Sequence, residues 1–394
     1  MLRALCLATA ILALRLAHTS AEAPSDLGAN AALSYWQAFA TLPKFTEAEQ
    51  TRLISEHLTM PLDAQTTEIV RKAEYALRMM HHAAVLPRCE WGIDWEPSID
   101  WEAGGFEVLL PQMDAARVLS SLACIRARMR FEEGHRAQAI NDIVAAARMG
   151  RQVSRDGSLV GVLVGYSIEG GMIGALALSL PRLDPGTIKD LKTRLDALPE
   201  GGNPAAAMRA CEEKTLDWFI HKVKSAKDKE SLVATLTPFA LLAIEGRARV
   251  SDPVAEGRAL LDKFGGSATS VLELAEAARP SYALMAEKLR LPVAEFEKEF
   301  ERETTRQAGN PWFKLFFPAV VKARQAQARD EVRRALISAA FAVQVDGRDA
   351  LKTHADPVGG GPFEYTKFAG GFELRSKLMH EGRPLSLTVG RRGE

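Results

Sequence analysis

Two consecutive segments with helical periodicity, between Gln112 and Val153, constrain the fold of this chain more than any other feature. Apolar residues recur at helical spacing in both, as Val118, Leu122, Ile125 and Met129 and then as Ala137, Ile140, Val144 and Ala147. Gly134 supplies the backbone freedom that a short turn between helices needs. The pattern predicts two packed helices joined at Gly134-His135, with further helices laid against them.

The composition agrees with a mainly helical protein. A length of 394 residues allows one large domain or two ordinary ones. Aromatic residues make up only 7% of the chain, and helix-forming residues are abundant. The 50 basic residues balance the 50 acidic ones. We therefore expect no nucleic-acid partner, since such proteins carry a net or clustered basic charge.

The N-terminus has the pattern of a signal peptide. Arg3 gives a basic start, residues 4–14 form an apolar run too short to span a bilayer, and Thr19-Ser20-Ala21 offers small residues for cleavage. This pattern predicts a signal peptide over residues 1–21 and export to the periplasm, the cell envelope or the medium. The alternative is the frayed first helix of a cytosolic protein.

Three cysteines remain after the predicted cleavage: Cys89, Cys124 and Cys211. They allow at most one internal disulfide, and no CxxC or metal-ligand spacing is present. We expect buried, unpaired thiols. A Cys89–Cys124 bond is the alternative.

The connection between Leu86 and Pro111 differs in composition from the rest of the chain, because it interleaves tryptophans with acidic residues. Its candidate ligand-binding residues are Trp91, Asp94, Trp95, Asp100 and Trp101. Indole faces stack on sugar rings, and a carboxylate pair can supply the acid and base of glycoside cleavage. The alternative is that the tryptophans pack over helix ends while the acids stay in water.

A strongly apolar helix is predicted from Leu159 to Leu180, with Ser158 as its cap. It is long enough to span a membrane, but Glu169 at its middle would be costly in lipid. We therefore predict a buried central helix, whose glycines admit close neighbours, and not a membrane span.

Glu169 is the most unusual ionisable residue of this helix. A carboxylate on an apolar helix must be paired or protonated. We expect an ion pair with an arginine of the neighbouring helix, Arg148 or Arg151. A catalytic acid is the weaker hypothesis, because structural ion pairs also perturb carboxylates.

The composition changes after the long helix predicted at 319–345. Three segments alternate at period two, and a Gly370-Gly371 turn separates the first two. They are 363–365, 372–378 and 385–389. This pattern predicts a small antiparallel meander that packs on the preceding helix.

Familiar catalytic motifs are not found in the sequence. There is no HExxH, Walker loop or GxGxxG. The segment Gly165-Tyr-Ser167-Ile-Glu169 departs from GxSxG at its last position and lies within a predicted helix. We therefore predict no catalytic set, cofactor or metal.

Two resemblances add to these observations. The small residues Ala127, Gly134, Ala139 and Ala146 resemble those of a tetratricopeptide helix pair. The tail from Ala335 through Asp356-Pro357, Pro362-Phe-Glu-Tyr365 and Gly371-Phe-Glu-Leu-Arg-Ser376 is similar to the C-terminal part of type II secretion pseudopilins, although the methylated pilin N-terminus is missing. Together with the signal peptide, these features resemble uncharacterised exported bacterial helical proteins, a family that implies no activity.

The sequence thus predicts a mainly α protein of antiparallel, tetratricopeptide-like hairpins over residues 22–345, followed by the meander over 346–394. The first functional hypothesis is an exported, non-enzymatic scaffold that binds a protein partner in a groove between helices. The second is a carbohydrate-binding or glycoside-hydrolysing protein that uses the Trp91–Trp101 loop.

Overall fold

The computed structural model describes residues 29–93, 110–242 and 251–392. Its described part is mainly helical and ends in a small antiparallel sheet. The predicted class, mainly α with a small C-terminal antiparallel sheet, is therefore confirmed, whereas the likeness to tetratricopeptide hairpins stays a prediction. The predicted signal peptide lies outside the described residues.

The first half of the described chain is helical. Its helices are α1 (Ala31–Ala40), α2 (Glu47–Glu56), α3 (Ala64–Lys72), α4 (Glu74–Val85), α5 (Gln112–Glu132), α6 (Arg136–Val153), α7 (Leu159–Ser179) and α8 (Pro185–Asp196). Asn30, Asp63 and Ser158 cap α1, α3 and α7 by accepting backbone N–H bonds, as their sequence positions predict.

The second half adds helices and the sheet. The helices are α9 (Pro204–Ala207), a π-helical turn (Met208–Glu212), α10 (Glu213–Ser225), α11 (Lys229–Leu242), α12 (Pro253–Lys263), α13 (Ala268–Lys288), α14 (Val293–Arg306), α15 (Pro311–Phe316) and α16 (Pro318–Asp346). The strands are β1 (Glu364–Phe368), β2 (Gly371–His380) and β3 (Arg383–Gly390), paired antiparallel in that order.

The α5–α6 pair is the predicted one, and its turn is at Gly134, where φ is +80°. Helix α7 packs on both members of the pair and on α16. Its glycines allow this close packing: a Cβ on Gly165 would lie only 2.7 Å from the carbonyl oxygen of Gly150 on α6. The meander packs on α7 and α16, which confirms its predicted support by the long helix.

The buried apolar residues form three clusters. One joins α1–α6, a second joins the sheet to α7 and α16, and a third fills the C-terminal helices from residue 205 to residue 326. Helix α7 contributes to all three, because its length carries it through the molecule. The third cluster surrounds the cavity described below.

Among the described residues, the stretch Leu159–Arg182 is the one helix long and apolar enough to cross a membrane. Of its most apolar window, 61% is buried inside the structure. This burial agrees with a central helix of the fold.

Two helix boundaries differ from the sequence prediction. The sequence pattern predicts a helix from Val271 to Ala278 with a break at Pro280, yet α13 continues through the proline to Lys288. The buried residues Ser281 and Tyr282 follow the proline, and the Ser281 hydroxyl donates a 2.5 Å hydrogen bond to Glu303. Tertiary contacts thus hold the helix beyond the proline. The apolar stripe Ile69, Ala73, Ala76, Met80 and Ala84 predicts a single helix that begins at the Asp63 cap, but the structure divides it into α3 and α4 at Ala73.

Candidate ligand-binding cavity

A cavity of about 310 Å³ lies within the third apolar cluster. Its walls come from the first turns of α7, the π turn, α10, α11, α13, α15 and α16. The lining residues are Leu159, Val160, Leu163, Met208, Glu212, Thr215, Leu216, Phe239, Tyr282, Trp312, Leu315, Phe316, Phe317, Ala319, Val320 and Ala323. Size and lining are those of a small-molecule site, which is typically apolar with few polar groups.

The aromatic wall of this cavity is fixed by a helix cap. Asn310 accepts hydrogen bonds from the backbone of Trp312 and Phe313, and its side-chain amide donates to the carbonyl oxygen of Leu274 on α13. The Trp312 ring then lies 4.3 Å from that of Phe316, centroid to centroid. The sequence pattern predicts that Asn310-Pro311 begins a connection with aromatic anchors, but it predicts neither the cap nor the cavity that these residues border.

Tyr282 is the polar member of the aromatic wall. Its hydroxyl accepts a 3.4 Å hydrogen bond from Trp312 Nε1. Burial, with a contribution from the charge of Glu212, raises the Tyr282 pKa, so the side chain stays neutral in the physiological range. Tyr282 and Glu212 line the same cavity.

Glu212 carries the only formal charge among the residues that line the cavity. It is partly buried and ends the π turn, a helical irregularity that often marks functional sites. Within the described part of the chain, its carboxylate makes no ion pair or hydrogen bond. Burial raises its pKa to about 7, because no nearby cation stabilises the charged form.

Two exposed apolar side chains lie at the rim of the cavity. Val160 is 51% exposed and Leu163 is 36% exposed, and both line the cavity from α7. A ligand entering at this rim would therefore meet apolar surface first.

Glu169, the weak catalytic candidate, is placed differently. It is 2% exposed, with one oxygen 3.1 Å from Arg151 Nε and the other 2.9 Å from Arg334 Nε. The predicted ion pair with Arg151 is confirmed, and Arg334 of α16 adds a partner that spacing could not identify. Arg334 Nε also lies 2.9 Å from Asp330, whose pKa is raised by burial and by the charge of Glu169.

A second cavity of about 300 Å³ borders this ion-pair cluster. Glu169, Arg151 and Arg334 line it together with Lys192 and Asp196, which pair with each other at 2.5 Å. Its principal charges therefore already have partners within the protein. We regard it as the weaker ligand site.

The predicted loop site is only partly described. Trp91 is 8% exposed, stacks on Tyr35 and Phe39, and donates an indole N–H hydrogen bond to the carbonyl oxygen of Gln152. Trp91 therefore serves as a core residue and has no free face for a sugar ring. Asp94, Trp95, Asp100 and Trp101 lie outside the described residues, so the carbohydrate hypothesis stays a prediction for them.

The three cysteines of the described chain, Cys89, Cys124 and Cys211, are free thiols. Burial raises the pKa of each to about 12. They are therefore protonated and unreactive at neutral pH. In the described ranges, no group of three His, Cys, Asp or Glu side chains could hold a metal ion.

Glu212 was missed by sequence reasoning, although a signal was present. Leu216 and Phe219 follow it at helical spacing, and both are fully buried. A glutamate on such a face is as unusual as Glu169 on its apolar helix. Its position next to Glu213 and Lys214 made the segment resemble an exposed helical turn.

Comparison of the chain with protein-family models, with curated proteins and with solved structures finds no match. These comparisons therefore do not bear on the resemblance to exported helical proteins, which stays a prediction.

Proposed function

We propose that this protein is a helical binding protein that holds a small, largely apolar ligand in the cavity next to Glu212. The observation that carries the proposal is the cavity itself: about 310 Å³, walled by aromatic and aliphatic side chains, with a single charged group. Binding in a groove between helices was already expected, but the shape favours a small molecule over a protein partner. Export through the signal peptide at residues 1–21 is part of the proposal.

The apolar lining supplies the driving force for binding. Burying a CH₂ group contributes roughly 0.8 kcal/mol, so a chain of about eight carbons gains about 6 kcal/mol, which corresponds to a Kd of tens of micromolar before the costs of association are subtracted. The exposed Val160 and Leu163 at the rim would be covered by the outer end of such a ligand.

The test is titration with the neutral fluorescent probe N-phenyl-1-naphthylamine. Ala319 is exposed and lines the cavity, so Ala319→Trp places an indole at its edge without crowding the core. We expect probe affinity to fall about tenfold or more through lost apolar contact.

Ala283→Trp is the matched control, because Ala283 is exposed on α13 and does not line the cavity. The affinity of Ala283→Trp for the probe should equal that of the wild type. No probe binding, or equal binding by both variants and the wild type, would overturn the proposal. Failure to bind small probes, together with a pulled-down partner lost in Ala319→Trp, would instead indicate a protein ligand.

A further inference from the structure

Resting on the proposed function, we infer that the ligand carries an ammonium group, which pairs with Glu212 while its apolar body fills the cavity. The site would take a primary or secondary amine with an aliphatic or aromatic body. The following observations lead to this class.

The first observation is an uncompensated charge in an apolar wall. All other lining residues are neutral, and no described cation pairs with the Glu212 carboxylate. A buried carboxylate without a partner is unfavourable. A cationic ligand removes that cost on binding, whereas a neutral ligand leaves it in place.

The second observation is the set of hydrogen-bond acceptors on residues that line the same cavity. An ammonium group has three N–H donors and no acceptor. Glu212 offers two oxygens, and the Tyr282 hydroxyl oxygen, which already accepts from Trp312, has a further lone pair. Trp312 lines the same cavity, and an aromatic ring attracts cations through its π system.

Alternative headgroups fit less well. A ligand carboxylate would face Glu212 with the same charge and would need a proton shared between them. An alcohol can donate one hydrogen bond but leaves the charge uncompensated. The cavity therefore discriminates by charge between ligands with the same apolar body.

The pH dependence of binding follows from the groups that face Glu212. Tyr282 of α13 lines the same cavity and Cys211 precedes Glu212 on the π turn, and burial keeps both protonated near neutral pH. The other walls are formed by apolar residues and Thr215. Asp156, whose pKa burial raises to about 6, influences Cys211 and does not line the cavity. Amine binding should therefore weaken as Glu212 takes up its proton below pH 7.

The experiment compares octylamine, octan-1-ol and octanoate by calorimetry on the full chain at pH 8.0 and pH 5.5. At pH 8.0 we expect octylamine to bind about tenfold or more tightly than octan-1-ol, from a charge-assisted hydrogen bond. The preference should shrink at pH 5.5. Glu212→Gln should abolish it at both pH values, whereas Glu213→Gln, on the adjacent residue outside the cavity lining, should keep it.

The possible results separate the two proposals. Equal binding of amine and alcohol at pH 8.0, an amine preference that survives Glu212→Gln, or tighter binding of octanoate would overturn the amine assignment and leave the cavity's function standing. Binding of none of the three would overturn both. Glu212→Asp keeps the charge, so it should retain part of the preference if Glu212→Gln folds poorly.

Discussion

Glu169 and Glu212 are both glutamates on apolar helical surfaces, but their surroundings are opposite. Glu169 lies at the middle of α7, where Arg151 and Arg334 each approach one of its oxygens. Glu212 lies at the end of the π turn, faces a cavity and has no charged partner among the described residues. The protein itself neutralises the charge of Glu169. The charge of Glu212 has no counter-charge among the described residues, so a ligand can supply one.

The difference shows that burial alone does not identify a functional glutamate. Arg151 also donates hydrogen bonds to the carbonyl oxygens of Leu198 and Pro199, so it ties α6 to the segment before α9 as well as neutralising Glu169 of α7. The more deeply buried glutamate is thus a structural group. Both glutamates line a cavity, and the functional candidate is the one whose carboxylate has no charged partner among the described residues.

The largest expected effect comes from removing the paired charge. Glu169→Gln leaves Arg151, which is 15% exposed, without its carboxylate. Breaking a buried pair by removing one partner costs about 3 kcal/mol, and we expect that loss of unfolding free energy in urea at pH 7. The control is Glu213→Gln, which should change stability little. A loss below about 1 kcal/mol would mean that Glu169 and Glu212 do not differ in structural role.

The next effect is an increase in the free energy of unfolding, and it comes from replacing Glu212. A carboxyl group whose pKa is raised by folding contributes stability below its unfolded pKa and loses it as pH rises through the folded pKa. For Glu212 the loss of stability extends from about pH 4.5 to about pH 7. One pKa unit corresponds to about 1.4 kcal/mol, which sets an upper limit of about 3 kcal/mol. Because Glu212 is partly accessible, we expect about 2 kcal/mol.

Glu212→Gln should therefore match the wild type near pH 4.5 and become more stable by about 2 kcal/mol at pH 8. The measurement is urea unfolding of both proteins across this range, with Glu213→Gln as the control. A difference that does not change with pH would show that Glu212 is solvated or paired, and the comparison with Glu169 would fail.

The smallest effect tests the close packing that brings Arg151 to Glu169. A Cβ on Gly165 would lie 2.6 Å from Ser154 Cβ and 2.7 Å from the Gly150 carbonyl oxygen, and backbone does not yield easily. We expect Gly165→Ala to cost about 1–2 kcal/mol of unfolding free energy through overpacking. Loss of thermal stability in circular dichroism is the readout.

Gly170→Ala on the same helix is the matched control. Its new methyl group would first meet Arg333 Nη1 at 3.0 Å, the far end of a flexible side chain. Relief of the helix penalty of glycine should make this change neutral or slightly stabilising. Equal costs at the two positions would show that the contact between α6 and α7 is not what makes Gly165 necessary.

Local patterns were sufficient for many elements. The α5–α6 pair, the caps at Asn30 and Ser158 and the C-terminal meander agree with prediction, because each depends on periodicity, capping or turn residues within a short stretch of chain. The break expected at Pro280 was wrong. There, contacts from α14 outweigh a local preference.

The sequence by itself determined the helical class, the position of the final sheet and the need of Glu169 for an arginine, since these follow from neighbours along the chain. Only the tertiary structure decided that Arg334 completes that pair, that Trp91 is a core residue, and that seven separated elements leave a cavity at Glu212. The physical reason is that a cavity forms where side chains from distant parts of the chain leave space between them. Local sequence patterns do not encode that arrangement.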